Sequence, residues 1–164
     1  MNNPNDNFPN FTAEENQGKR LFFNRIDQGG MDYVRCHETD AFISRANGPT
    51  NNGLDAQSTI DQGVFEATGN RGDIGRFKVP SLRNIEVTAP YMHDGRFQTL
   101  SEVIEHYNSG IQNHRNLDNA LRGPDGQPVR FNLTDAQKSA MEAFLLTLTD
   151  QNFLADEKFG DPFE

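Results

Sequence analysis

The amino-acid sequence predicts a mainly α-helical domain with long ordered loops. Three segments carry apolar residues at helical spacing, and each begins with a Ser/Thr-x-x-Glu/Gln capping box. The sequence contains no pair of strand patterns joined by a hairpin turn. At 164 residues the chain most simply forms one domain, over 12–150, between an extended arm at 1–11 and an extended tail at 151–164.

The first helix is predicted over residues 13–25. Thr12 and Glu15 form its capping box. A glycine on the inward stripe predicts close approach of a second helix. The residues predicted to point inward are Gly18, Leu21, Phe22 and Ile26.

The second helix is predicted over 99–108 and begins with the capping pair Thr99 and Glu102. Its spacing places Tyr107 on the buried face, whereas His106 is about 100° away around the helix. The stripe that carries this prediction consists of Leu100, Val103, Ile104 and Tyr107.

The last helix is predicted over 134–148, where Thr134 and Gln137 repeat the capping pattern. Its spacing again gives one apolar face. The residues on that face are Ala140, Met141, Phe144, Leu145 and Leu148.

The long segment 27–98 is rich in Gly, Asn, Asp and Pro, and it has few periodic stretches. A loop of this length inside a compact domain needs a group that organises it. The chain has 34% apolar residues but 13 phenylalanines and no tryptophan, so a large apolar cofactor packed among phenylalanines would complete the core.

The charge balance narrows the choice of partners. With 24 acidic against 15 basic residues, the net charge is -9, which argues against nucleic-acid binding and favours a basic protein partner. No stretch approaches the length of a membrane span, and the first residues lack the features of a signal peptide. The single cysteine excludes an internal disulfide.

The stretch "YVRCHETD", residues 33–40, contains the dipeptide Cys36-His37. It matches the second half of the haem-attachment signature C-x-x-C-H, with Tyr33 where the first cysteine would stand. One sulfur and the axial imidazole suffice mechanically to hold a haem. By itself the dipeptide is weak evidence, and a buried thiol without a cofactor stays open.

The run "GRFKVPSLRNIEVTAPYMHDGRFQTLSEVIEHYNSGI", residues 75–111, closely resembles the carboxy-terminal haem domain of bacterial di-haem cytochrome c peroxidases and the related MauG group. "GKRLFF" at 18–23, Cys36-His37 and "LTDAQKSAMEAFLLTLTD" at 133–150 follow in the expected order. The resemblance therefore covers about residues 12–163, and it implies a cytochrome c-like haem domain.

The resemblance also implies the iron ligands. His37 takes the place of the proximal ligand, and Cys36 makes the covalent link, so haem c would be held by a single thioether. The distal position, methionine in ordinary peroxidases and tyrosine in MauG, falls on Tyr107. Met92 is the rival distal ligand, since a thioether is a known haem ligand, and a core role for Tyr107 stays open.

Further roles follow from the same resemblance. Thr88 and Pro90 match two ligands of a calcium ion whose third protein ligand comes from an amino-terminal domain, which we expect this chain to lack. The "HDG" residues His93 and Asp94 are expected to shape their loop. The basic residues that are candidates to pair with haem propionates are Arg76, Lys78, Arg83 and Arg96.

The function implied by the resemblance is electron transfer by a c-type haem domain related to the electron-accepting domain of the peroxidases. Two alternatives stay open, a mono-haem peroxidase acting on hydrogen peroxide and a haem-free binding module with a decayed site. The expected partners are a redox protein donor or a missing amino-terminal haem domain, with a homodimer as a further arrangement. The expected location is the periplasm.

Overall fold

The computed structural model describes residues 5–37 and 48–160. It confirms the mainly α class, because these residues contain helices, short 3-10 turns and isolated bridges but no β-strand. The helices are α1 (Ala13–Phe23), α2 (Phe65–Thr68), α3 (Leu100–Glu105), α4 (Asp135–Leu146) and α5 (Gln151–Ala155).

Helices α1 and α4 form the main packing contact of the fold. Both predicted capping boxes are present, with Thr12 and Thr134 accepting hydrogen bonds from the backbone of the residue three positions later. Gly18 allows the close approach, since a Cβ at this position would overlap the carbonyl oxygen of Ala140 and lie 2.7 Å from Cβ of Phe144. The prediction of a tightly packed partner helix is confirmed.

The buried core joins α1, α3 and α4. It consists of Leu21, Phe22, Met31, Leu82, Leu100, Ile104, Ala140, Met141, Phe144 and Leu145. The prediction for Ile26 was wrong, because α1 ends at Phe23 and Ile26 starts a separate 3-10 turn in which it is 44% exposed. The extended residues Asn24 and Arg25 separate the two helical segments, so the spacing from which its inward direction was inferred does not continue to Ile26.

The amino-terminal arm is held against α1 over its described part. The ammonium group of Lys19, which is 2% exposed, donates to the carbonyl of Asp6 and lies 4.4 Å from the ring centroid of Phe8. Asn16 bonds both the N–H and the carbonyl of Phe8, at 2.8 and 3.1 Å. Two buried polar side chains of α1 therefore fix the arm.

The carboxy-terminal segment differs from the extended tail predicted over 151–164, because part of it is helical. Asp150 caps α5 by accepting from the N–H of Phe153 at 3.0 Å, and a 3-10 turn follows at Glu157–Phe159. The sequence contains this capping residue, but the helix that it caps is only five residues long, and so short a helix gives little periodic signal. No helix within the described residues is long and apolar enough to cross a membrane.

His114 anchors the loop after α3 and gives the fold a predicted acid sensitivity. The ring is 1% exposed, its Nδ1 accepts from the N–H of Asn116 at 3.0 Å, and burial, with Arg115 and Arg122, lowers its pKa. His114 therefore binds a proton more readily in the unfolded chain than in the folded one. The stability that the neutral, buried ring contributes is complete above about pH 6.5 and is lost as the pH falls below that value.

Replacing His114 with asparagine, whose Oδ1 can still accept from Asn116, is expected to destabilise the protein at pH 7 by about 1–3 kcal/mol. The two free energies of unfolding should converge as the pH falls from 7 to 5, because only the wild type loses stability through this ring. Urea unfolding at a series of pH values measures the difference. Parallel pH profiles would contradict the role of His114.

Candidate functional site

Cys36 and His37 are positioned by one tight turn. The 3-10 turn Tyr33–Arg35 follows Asp32, which has a left-handed backbone with φ 54°. The backbone N–H groups of Cys36 and His37 both donate to the carbonyl of Tyr33, at 3.0 and 2.9 Å. Both side chains are half-buried, so the thiol and the imidazole are held next to the position of Tyr33.

The ring of Tyr33 lies inside the aromatic part of the core. It stacks on Phe22, with ring centroids 5.5 Å apart and planes 12° apart. It also meets Tyr107 edge to face at 5.3 Å. Burial raises the pKa of the Tyr33 phenol well above its ordinary value, and Tyr107 and Cys36 raise it further. The residue in the missing cysteine's place therefore joins the turn to Tyr107.

Tyr107 points inward as predicted and packs against the core. Its hydroxyl lies 3.5 Å from the side-chain nitrogen of Asn52. Burial raises the pKa of Tyr107, and the charge of a Cys36 thiolate adds to this, whereas the hydrogen bond from Asn52 lowers it. Tyr107 thus lies in the electrostatic surroundings of Cys36 although 71 positions separate them in the chain.

His106, predicted to lie about 100° around the helix from Tyr107, is buried as well. It is 6% exposed, and its Nε2 lies 3.2 Å from the carbonyl oxygen of Asn52. Helix α3 continues as a π-helical turn at His106–Gly110, where more residues per turn bring neighbouring side chains closer in direction. The 51–54 loop then covers His106, and burial lowers the pKa of its ring.

Met92, the rival ligand, lies near the same place. It has a left-handed backbone with φ 72°, inside a turn closed by the bridge between Tyr91 and Phe97. Its sulfur accepts from the side-chain nitrogen of Asn52 at 3.4 Å. The two candidate distal ligands, Met92 and Tyr107, are therefore within reach of one amide group.

Arg96 ties the turn of Met92 to the loop of Asn52. Its guanidinium donates to both carboxylate oxygens of Asp55 at 3.0 Å, and its Nε donates to Asp94 at 2.7 Å. This arrangement lowers the pKa of Asp94. Asp94 serves the loop, as predicted, and so does His93, whose ring stacks on Phe77 at 3.8 Å.

The predicted calcium residues lie on the surface. Thr88 and Pro90 are exposed, and the Thr88 hydroxyl donates to the carbonyl of Ile85 at 3.1 Å. Within residues 5–37 and 48–160, no three His, Cys, Asp or Glu side chains cluster as a metal site. The calcium assignment stays a prediction.

Sequence reasoning missed Asn52. Its only local signal is the "NNG" turn, in which Gly53 has φ 67°, and such a turn is common in loops. Its contacts with Met92 and Tyr107 span 40 and 55 positions. No periodicity within one segment reports contacts of that range.

The donor set suits a haem. One turn presents a thiol and an imidazole. Tyr107, which contacts this turn through Tyr33, presents a phenol, and Met92, which shares the Asn52 amide with Tyr107, presents a thioether. A cysteine thiol can attach haem covalently, and the other three groups are ligands of haem iron. The aromatic rings of Phe22, Tyr33 and Tyr107 give the site the apolar walls that such a ring needs. The residues present therefore fit the group implied by the C-x-x-C-H half-motif.

The chain is similar in sequence to several curated bacterial proteins. It is 50% identical over 106 residues to a cytochrome-c peroxidase of Denitromonas iodatirespirans, covering 63% of this chain and 26% of the relative. It is 36% identical over 110 residues to the methylamine utilization protein MauG of Paracoccus denitrificans, covering 57% and 28%. The chain spans about a quarter of the length of these relatives. No protein-family model matches it.

Two solved structures share the fold. A MauG-like protein associated with microbial copper homeostasis superposes with a TM-score of 0.77 and 31% identity, over 94% of this chain and 52% of the other. A diheme peroxidase variant from Burkholderia thailandensis gives a TM-score of 0.59 with 20% identity, over 88% and 43%. The predicted fold class is confirmed by these likenesses.

Proposed function

We propose, from the relationship of this chain to cytochrome-c peroxidases and MauG proteins, that it is a c-type haem domain for electron transfer. One observation carries the proposal. The turn with Cys36 and His37 and the inward-pointing Tyr107 meet in one aromatic core, although the chain separates them widely. The proposed domain spans 12–150, flanked by the arm and the carboxy-terminal segment.

In this proposal Cys36 would make the thioether and His37 would be the proximal ligand. Tyr107 would be the distal ligand, with Met92 as the alternative. A bound haem supplies one-electron exchange between ferric and ferrous iron. The protein contributes orientation of the ligands through the Tyr33–Arg35 turn and an aromatic surrounding that excludes water.

Electron transfer accords better than peroxide cleavage with the groups around Tyr107. A phenolate is a hard anionic donor, so it favours ferric iron and leaves no open position while it is bound. The proposed partner is a redox protein donor, or a second haem domain such as the longer relatives have room for. The net charge of -9 favours a basic docking surface on the donor.

The first test is expression in a host with cytochrome c maturation, followed by an optical spectrum and intact-protein mass. We expect a Soret band and a haem mass on the chain, mapped to Cys36 by proteolysis. A chain without either would contradict the proposal and favour a haem-free binding module.

Replacing Tyr107 with phenylalanine is expected to remove the phenolate ligand with little change in packing. The ferric spectrum should lose its phenolate features, and the midpoint potential should rise by on the order of 100 mV, because a neutral or thioether-ligated haem favours ferrous iron. The matched control is Tyr91→Phe, since the Tyr91 hydroxyl donates to the carbonyl of Ile85 at 2.8 Å. Equal potentials in both variants would contradict ligation by Tyr107.

The similarity of this chain to cytochrome-c peroxidases favours a second candidate function, the reduction of hydrogen peroxide at the single haem. An open distal position would then be required, so both Tyr107 and Met92 would have to move away. Steady-state assays with hydrogen peroxide and a reduced donor separate the two functions. Turnover would favour the peroxidase, and its absence in a haem-loaded chain would favour electron transfer.

A calcium ion and a periplasmic location are also proposed for this domain. Calcium would bind the oxygens of Thr88 and Pro90 only when a second domain completes the site, because two surface oxygens do not fill its usual six to eight positions. The location would be the periplasm, where haem is attached covalently. A homodimer is the other arrangement that could complete such a site.

A further inference from the structure

We propose that Asn52 is a positioning residue that selects the distal ligand, favouring the Tyr107 phenolate over the Met92 thioether. The inference rests on the proposed haem-binding function. Its basis is the side-chain amide nitrogen of Asn52, which lies 3.4 Å from the sulfur of Met92 and 3.5 Å from the hydroxyl oxygen of Tyr107.

The orientation of the amide follows from its other end. The Oδ1 atom of Asn52 accepts from the backbone N–H of Leu54 at 3.2 Å. An amide oxygen cannot donate, so this bond identifies which end of the side chain is the oxygen. The donor nitrogen is therefore the end that faces Met92 and Tyr107.

The backbone of Asn52 is held in place on both sides. Asn51 is 4% exposed, and its side chain donates to the carbonyl of Gly75 at 2.7 Å. The carbonyl of Gly53 accepts from the N–H of Gln112 at 2.7 Å. The carbonyl of Asn52 itself lies 3.2 Å from Nε2 of His106. These bonds hold the loop in place, and the bond from Leu54 to Oδ1 orients the Asn52 amide on it.

The hydrogen bond from the Asn52 amide differs strongly in strength between the two acceptors. A phenolate oxygen receives a charge-assisted hydrogen bond, whereas a thioether sulfur is a weak acceptor. The same donor therefore stabilises the anionic form of Tyr107 and gains little from Met92. Arg96, which links Asp55 to Asp94, keeps the turn of Met92 next to the loop of Asn52. The contact of His106 with the carbonyl of Asn52 keeps the neighbouring Tyr107 next to the same loop.

Asn52→Asp is the sharpest test, because aspartate keeps the acceptor for Leu54 and replaces the donor with an anionic oxygen. In the ferric haem-loaded protein, we expect the ratio of phenolate-ligated to thioether-ligated haem to fall at least about tenfold, the effect of losing one charge-assisted hydrogen bond. Electron paramagnetic resonance and optical spectra measure the ratio. Asn52→Ala, which removes the donor without adding charge, should shift the ratio in the same direction.

The matched control is Asn113→Asp, the same substitution at an exposed residue whose amide donates to Gln127 at 3.3 Å. It should leave the ligand ratio unchanged. The double variant Asn52→Asp with Met92→Leu should lose the thioether signal that the single variant gains. Haem-loaded Asn52 variants with the ligand ratio of the wild type would overturn the role of Asn52 alone. Absence of haem from the wild type would overturn the proposed function and this inference together.

Discussion

Replacing Cys36 with serine is expected to abolish covalent haem attachment completely. The chain has one cysteine, so no other sulfur can form the thioether. The proposed axial imidazole of His37 stays in place, because the turn is closed by backbone hydrogen bonds to Tyr33 and not by the thiol. Haem should therefore be extractable by acid and organic solvent from the Cys36→Ser protein, whereas it should stay on the wild-type chain in intact-protein mass spectra.

The control for this experiment is Tyr33→Phe, which keeps the ring against Phe22 and leaves Cys36 unchanged. It should retain covalent haem in full. Haem retained on the denatured Cys36→Ser chain would contradict attachment at this residue. Equal loss from the two variants would show that the turn is sensitive to any change.

The complementary change, Tyr33→Cys, should create the second attachment point. The carbonyl of residue 33 already accepts from the N–H groups of Cys36 and His37, so the backbone spacing of C-x-x-C-H is present. The pyridine haemochrome band should move from the one-thioether to the ordinary two-thioether position. The variant loses the ring that stacks on Phe22 at 5.5 Å, which costs about 2–5 kcal/mol before haem attachment. An unmoved band in a haem-loaded variant would contradict the assignment of position 33.

The helices could be predicted from sequence because their signals are local. Thr12 with Glu15 and Thr134 with Gln137 place two helix starts within one residue, since each capping box uses groups three positions apart. The predicted helix ends agree less well with the structure. Helix α3 ends at Glu105 and continues as a π turn, and no residue preference in "HYNSG" distinguishes this turn from α-helix.

The candidate site likewise contains residues that local sequence patterns identify and one residue that they do not. The motif found Cys36 and His37, and helical spacing gave the inward direction of Tyr107. Asn52 could not be found, because its importance comes from contacts with Met92 and Tyr107 across 40 and 55 positions. Local patterns identify the chemistry-bearing side chains, but which polar group lies between them depends on how the loops pack.

A substitution at the contact of α1 with α4 is expected to lower the stability of the protein. Gly18→Ala should lower the free energy of unfolding by about 1–3 kcal/mol or more, the range for adding a methyl group to a filled interface. The added Cβ would overlap the carbonyl of Ala140, which is backbone and cannot rotate away, and it would lie 2.7 Å from Cβ of Phe144. Alanine's better helix propensity, about 1 kcal/mol, acts in the opposite direction, so the sign of the change shows which effect dominates.

Urea unfolding of Gly18→Ala beside Gly72→Ala measures this effect. Gly72 is exposed, and a Cβ there meets nothing closer than 3.4 Å, so its variant should stay within about 0.5 kcal/mol of the wild type. A stabilised Gly18→Ala protein would contradict the close packing of the two helices. Because α1 also carries Phe22, on which Tyr33 stacks, separation of the helices should move the haem turn and lower the fraction of chains that acquire haem. Loss of stability with full haem incorporation would show that the turn is held independently of the terminal helices.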